Sequence, residues 1–292
     1  MAPLVAGLVV GAAFVDRQRR LADPMIDLEL FRRPAFSLAL GANTLGFAVV
    51  FGLEVFVAQY FQLVLGYSPL EAGLWSVPGA VAFVVGSQIT PPLAARVTPP
   101  VAMLSGIAVA IAGVALLTQV GAADGPGLLV AGLVILSLGL APLFTLAADL
   151  AVGSAPPERA GAASGLSETS SELGGALGLA ILGTVGAAVY RHGSAGAMPD
   201  ELPHDATARA GDTLGGAVEV ADQLPQPLAA DVLEPAREAF VQGLQAAASL
   251  GSVLVIVAAV MVGRLWWRDH ERRMSRARGV APAPLAAAPP CA

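Results

Sequence analysis

Four carboxylates stand inside long apolar stretches that hold no lysine, arginine or histidine: Glu54, Asp149, Glu168 and Glu172. A charged group in hydrocarbon costs at least about 2.5–3.5 kcal/mol, so such a side chain faces a bundle interior or a water-filled cavity. A carboxyl group there has two chemical uses. It carries a proton, or, when ionised, it pairs with an organic cation. Glu168 and Glu172 are four residues apart and share one face of a helix. At 1.5 Å per residue from Gly161 they lie roughly 10 and 16 Å into their span. Gly161, Gly165 and Gly175 fall near that stripe, and Gly174 with Gly178 adds a GxxxG, so a neighbouring helix can approach closely. Asn43, Gln59 and Gln62, together with Thr44, are candidates for lining a polar cavity. Interhelical hydrogen bonding is the alternative for each, just as packing is the alternative for each carboxylate. Pro78 and Pro142 interrupt the hydrogen-bond ladder of two spans and are candidate kinks.

Other chemistries lack their residues. His192, His204 and His270 all lie in loops or the tail, and Cys291 is the single cysteine. No metal site or cysteine-based cluster is expected at membrane depth, and no organic cofactor. No phosphate-binding glycine loop of the Walker type occurs, so ATP hydrolysis by this chain is not expected; the carboxylates suit a proton gradient as the driving force. No nucleophile–base pair is in sight, so an enzyme is not expected.

The surroundings of the four acids decide the class. Of 292 residues 55 % are hydrophobic and 13 % charged, and the mean hydropathy is +0.70. Soluble domains carry about 25 % charge. This chain therefore has too little polar surface to coat a soluble globule, which excludes a cytosolic enzyme, a disordered chain and a nucleic-acid binder. An all-α, multi-pass membrane bundle with lipid as its solvent remains. Apolar blocks predict five transmembrane helices at about 36–62, 70–91, 99–120, 127–152 and 161–190, and a last one at 239–267. Block 1–15 is too short to cross alone. It reads as a reduced first span or as the end of a helix that starts upstream.

All sixteen basic residues are arginine, and arginine is retained on the cytoplasmic side of short loops. If block 1–15 ends inside, the inner segments, including loop 16–35, hold thirteen arginines and the outer segments three: Arg191, Arg209 and Arg237. The expected location is the plasma or inner membrane with a cytoplasmic C-terminus. Trp266 and Trp267 would anchor the last span at the interface. Segment 191–238 is extracytoplasmic on this reading and carries nine acids against three arginines. It reads as a solvated linker or as a partly folded cap, with Asp212 starting a short helix and Leu228–Phe240 forming another. Residues 268–292 read as a disordered cytoplasmic tail.

Three stretches carry a family resemblance. Gly66-Tyr67-Ser68-Pro69-Leu70-Glu71-Ala72-Gly73 running to Pro78-Gly79 is one. Pro156-Pro157-Glu158-Arg159-Ala160-Gly161 running to Gly178 is the second. Asp23-Pro24-Met25-Ile26-Asp27-Leu28 with Leu30-Phe31-Arg32-Arg33 is the third. They resemble the fourteen-helix drug/proton antiporters of the major facilitator superfamily (EmrB/QacA-like), and the likeness extends over nearly the whole chain up to the tail. It implies a major-facilitator-type bundle, the C-terminal part of a proton-coupled exporter of lipophilic, cationic drugs, with a missing N-terminal half as partner. It also implies that Glu168 and Glu172, on the penultimate helix, take part in cation recognition and proton coupling. A half-transporter working with a separate N-terminal half and a degenerate, non-transporting membrane protein are the alternatives. The orientation is testable with thiols. A cysteine replacing Ala206 should react with an impermeant reagent in intact cells, and Cys291 only after permeabilisation; labelling of Cys291 in intact cells would reverse the assignment.

Overall fold

The computed structural model describes residues 2–20, 30–199 and 201–279. Nine α-helices occur among the described residues: α1 (Ala2–Arg20), α2 (Pro34–Gln59), α3 (Pro69–Arg96), α4 (Pro99–Leu117), α5 (Pro126–Gly153), α6 (Ala160–Ser194), α7 (His204–Asp212), α8 (Leu214–Ala221) and α9 (Gln226–Gly279). Six of them, α2 to α6 and α9, are long and apolar enough to cross a bilayer. Residues 21–29, which hold Asp23–Leu28 of the third resembling stretch, and tail residues 280–292 with Cys291 lie outside the described residues.

Four spans open on proline. Pro34, Pro69, Pro99 and Pro126 occupy the first turns of α2, α3, α4 and α5, where a missing N–H costs nothing and a fixed φ favours the helix. At α3 a capping box adds to this. Ser68 Oγ accepts from the Glu71 N–H at 3.3 Å, and the Glu71 carboxylate accepts from the Ser68 N–H at 2.8 Å. The Gly66–Glu71 stretch is thus a chain stop followed by a helix start, and Gly66 takes the positive φ of +71° that the turn requires. Helix α2 does not end at Gln59 but continues through one π-helical turn, Tyr60–Val64.

The spans form two sets of three, α2–α3–α4 and α5–α6–α9, threaded in opposite directions. Most of their contacts correspond, the exception being α6 on α9, which is extensive where α3 on α4 is slight. Helix α2 packs on α6 and α9, while α5 packs on α3 and α4; α2 meets α5, and α4 meets α9. Such pairing is that of an inverted three-helix repeat. Without a hydrophobic drive between helices in lipid, close approach of small residues holds such seams. Gly106 and Gly113 of α4 lie against the Gly139 and Gly132 backbone of α5, and Gly243 of α9 lies against the Gly186 carbonyl of α6.

Two sequence expectations change. A Cβ at Gly161 or Gly165 would meet nothing within 4 Å among the described residues, so these two take no part in the seam with α2; of that group only Gly174, Gly175 and Gly178 touch α2. The seam begins one turn further along α6 than the glycine spacing suggested. Asp212 does not start a helix either. It closes α7, and Thr213, extended at φ −147°, caps α8 by accepting from the Gly216 N–H at 3.1 Å. The segment expected at Leu228–Phe240 is continuous with α9, with Pro235 inside the helix.

Segment 191–238 is folded onto the bundle end. Leu214, Ala217 and Val220 of α8 are buried, and α8 packs on α9 and on the π turn. Tyr190 Oη donates to the Ala210 carbonyl at 2.6 Å and Ser194 Oγ to that of Gly211 at 2.9 Å, which ties α7 to the end of α6. Ala206 is 8 % exposed and buried in α7, so the thiol probe belongs at the exposed Ala208 of the same helix.

The seams predict opposite effects for one substitution. Gly178→Ala should lower stability in detergent by about 1–3 kcal/mol through overpacking on α2. Gly165→Ala, in open space, should be neutral or stabilising by roughly 0.5–1 kcal/mol. Thermal unfolding of the two purified variants checks the pair.

Candidate functional site

Helices α2 and α6 run side by side in the same direction, since three spans, α3 to α5, lie between them. Gly178 lies so close that a Cβ there would collide with the Ala48 backbone, and a Cβ at Gly52 would stand 2.8 Å from the Gly178 carbonyl oxygen. Residue 178 is therefore level with the midpoint of residues 48 and 52. Polar side chains extend the same register: Asn43 Nδ2 donates to Ser171 Oγ at 2.9 Å, and the Thr44 and Ser170 hydroxyls share a hydrogen bond of 2.5 Å. Ser170 also donates to the Leu40 carbonyl at 3.3 Å.

Along the surface edge of this seam runs a cavity of about 390 Å³. Helix α2 contributes Phe51, Glu54, Val55 and Ala58, and α6 contributes Glu172, Gly175, Ala176 and Leu179. Each set is spaced i, i+3, i+4, i+7, one stripe of a helix. The Phe51 ring covers Gly175 at 3.2 Å from a Cβ position. It leads through Phe47 (6.0 Å between centroids) to Phe144 (4.3 Å) and Phe83 (5.9 Å), an aromatic row reaching into α5 and α3. In the register of the seam, Glu172 is level with Thr44. Glu54 lies ten residues further, about 15 Å along the helix axis. Both carboxylates are exposed to the groove, and among the described residues neither has an ion-pair partner.

The remaining sequence candidates fall elsewhere. Glu168 is exposed one turn before Glu172 on α6, outside the groove lining, and Asp149 is exposed near the end of α5. Asn43 is 3 % exposed and is not part of the groove lining; its amide donates to Ser171 instead. Gln62 is exposed and donates to its own Ala58 carbonyl at 3.3 Å; Gln59 is half-buried, and neither lines the groove. Pro142 is buried against Gly106 of α4, whereas Pro78 is exposed on α3; both sit within continuous helices. The sequence reading missed Phe51. Its signal was its position one turn before Glu54 in the same stripe.

A larger cavity of about 1030 Å³ lies where α8 and α9 meet the α4–α5 turn, lined by Asp124, Asp222, Glu234, Arg237 and Glu238 among others. Its walls are pinned. Tyr60 Oη donates to the carbonyls of Gly121 and Asp124 at 2.9 and 3.1 Å, and Gln245 donates to that of Val120 at 2.9 Å. Among the described residues no group of three histidine, cysteine or acidic side chains is placed to hold a metal ion.

Residues 3–179 match the family model described as Major Facilitator Superfamily. The chain belongs to the Major Facilitator Superfamily. Membership and the six apolar helices make it a multi-pass cell-membrane protein. It is 37 % identical over 262 residues to the multidrug efflux pump LfrA of Mycolicibacterium smegmatis, covering 90 % of this chain and 52 % of that one. It is 31 % identical over 268 residues to the tetracenomycin C resistance and export protein of Streptomyces glaucescens, covering 88 % and 49 %. It is also 31 % identical over 267 residues to the methyl viologen resistance protein SmvA of Salmonella typhimurium, covering 88 % and 52 %. The chain spans about half the length of these curated relatives. Among solved structures it resembles a bacterial homologue of the human lysosomal transporter Spinster, in an inward-facing, unoccupied conformation. That match has a TM-score of 0.52 and 22 % identity, and covers 82 % of this chain and 51 % of that one; it supports the superfamily fold.

The polar half of the seam yields a coupling measurement. Asn43→Ala and Ser171→Ala should each lower stability by about 0.6–1.7 kcal/mol, the range of hydrogen bonds between membrane helices. The double variant should cost clearly less than the sum, because one bond is lost in all three. Strict additivity would show that the two side chains do not act together.

Proposed function

We propose that this chain forms the C-terminal six-helix half of a proton-coupled efflux transporter for lipophilic, cationic compounds. The observation that carries the reading is the groove between α2 and α6. It offers carboxylates from Glu172 and Glu54, an aromatic ring from Phe51, and no basic side chain. An ionised carboxylate beside an aromatic face suits an organic cation, and protonation of the same carboxylate releases it. Glu172 is the principal coupling group. Glu168, one turn away, assists it, and Asp149 serves the α5 end of the path. The driving force is the proton gradient, with no organic cofactor. The relatives named as pumps and resistance proteins support export of drugs, and methyl viologen, in the name of one of them, is an organic cation.

The relatives' length supports a second, N-terminal half as the partner that completes the path. The groove lies on the face of α2 and α6 that such a half would cover. The arginine distribution supports a cytoplasmic C-terminus.

Binding of tetraphenylphosphonium to the purified chain in nanodiscs tests the reading. Wild-type affinity should fall as pH is lowered, because protonation removes the anion that pairs with the cation. Glu172→Gln should lose about tenfold in affinity along with that pH dependence. Reconstituted alone, the chain should drive no uphill transport. Wild-type affinity and pH dependence in Glu172→Gln would make Glu172 structural.

A further inference from the structure

The two groove carboxylates are not side by side. The contacts of Gly178 with Ala48 and Gly52 set Glu172 level with Thr44, and the Asn43–Ser171 bond agrees with that register. Glu54 is then about 15 Å away along the axis. Between them the lining is apolar: Phe51, Gly175, Ala176 and Leu179. Glu172 and Glu168, by contrast, are one helical turn apart, and Glu168 is outside the groove lining.

We propose that the groove is a length-selective site for elongated dications, with one cationic end at Glu172, the other at Glu54, and an apolar spacer lying over Phe51. This rests on the cation reading of the groove and adds a specificity determinant to it. The geometry makes Glu54, rather than Glu168, the partner of Glu172 for a second positive charge. A compact dication reaches only one carboxylate at a time. Its second charge then lies over Phe51, Ala176 and Leu179, where no anion offsets the loss of water. A dication whose charges are about three helical turns apart satisfies both ends and buries its spacer on apolar side chains. A single long-chain cation buries the same spacer but leaves Glu54 unmatched.

The test uses the purified chain in nanodiscs of zwitterionic lipid, with bound tetraphenylphosphonium displaced by bis-trimethylammonium ions bridged by butane or by decane. Wild type should prefer the decane-bridged ion by about tenfold. Glu54→Gln should bring the preference down to the level set by the spacer's apolarity alone, which decyltrimethylammonium measures. Glu54→Asp, which keeps the charge, should retain most of it. Glu54 is surface-exposed, so its amide variant keeps the fold. An undiminished preference in Glu54→Gln overturns the proposal, as does a wild-type preference no larger than that set by decyltrimethylammonium. These outcomes differ from failure of the cation reading itself, in which Glu172→Gln leaves tetraphenylphosphonium binding unchanged.

Discussion

Between α2 and α6 there is no room for a side chain at Gly174 or Gly178, and everything at the groove follows from that. Backbone contact brings the two helices close enough for Asn43, Thr44, Ser170 and Ser171 to satisfy one another. In a bilayer these polar groups have no water to fall back on, so pairing across the seam holds both helices in one register. The same register brings the stripe of Phe51, Glu54 and Ala58 alongside the far end of that of Glu172, Gly175 and Leu179, so that both border one groove. A helix packed 2 Å further out would carry the same carboxylates on two separate surfaces.

The two halves of the seam divide the labour. Toward the start of α6 it is polar and holds position; further along it is glycine against backbone and sets distance. The aromatic row from Phe51 through Phe47 and Phe144 to Phe83 then links the groove to α5 and α3, across the boundary between the two three-helix sets. Tyr60, fully buried at the far end of α2, fixes that helix to the α4–α5 turn. Thus α2 is held at both ends as well as along its length.

Much of this was legible in the chain itself. The apolar blocks and the prolines that open them mark the spans, because a membrane helix must be long and uninterrupted. Glu172 stood out because a carboxylate in hydrocarbon demands a reason. Its partner did not. The i, i+4 spacing pointed to Glu168, a relation within one helix, whereas Glu54 reaches the groove through a register between helices 118 residues apart in sequence. That register is set by backbone proximity at glycines, which leaves no side-chain pattern to read. For the same reason Gly161 and Gly165 looked like seam residues: spacing along one helix says nothing about where its neighbour begins to touch. Asn43 was ambiguous, since an amide suits a cavity wall as well as a helix–helix bond. The folded cap was concealed by its charge, because its nine acids suggested a solvated linker while Leu214, Ala217 and Val220 formed the buried face.

The docking of α8 on α9 has a consequence for how the molecule is made. Helix α8 precedes α9 in the chain, so its apolar face leaves the ribosome before the surface that covers it exists. Until α9 has been synthesised and inserted, Leu214, Ala217 and Val220 lack their main cover, and α7 is held to the end of α6 by Tyr190, Ser194 and the Arg191–Asp212 ion pair. Closure of the cap therefore waits on α9. Insertion of α9 closes the cap as well as the bundle, and a nascent chain stalled before it would present an open, unfinished end to the quality-control machinery of the membrane.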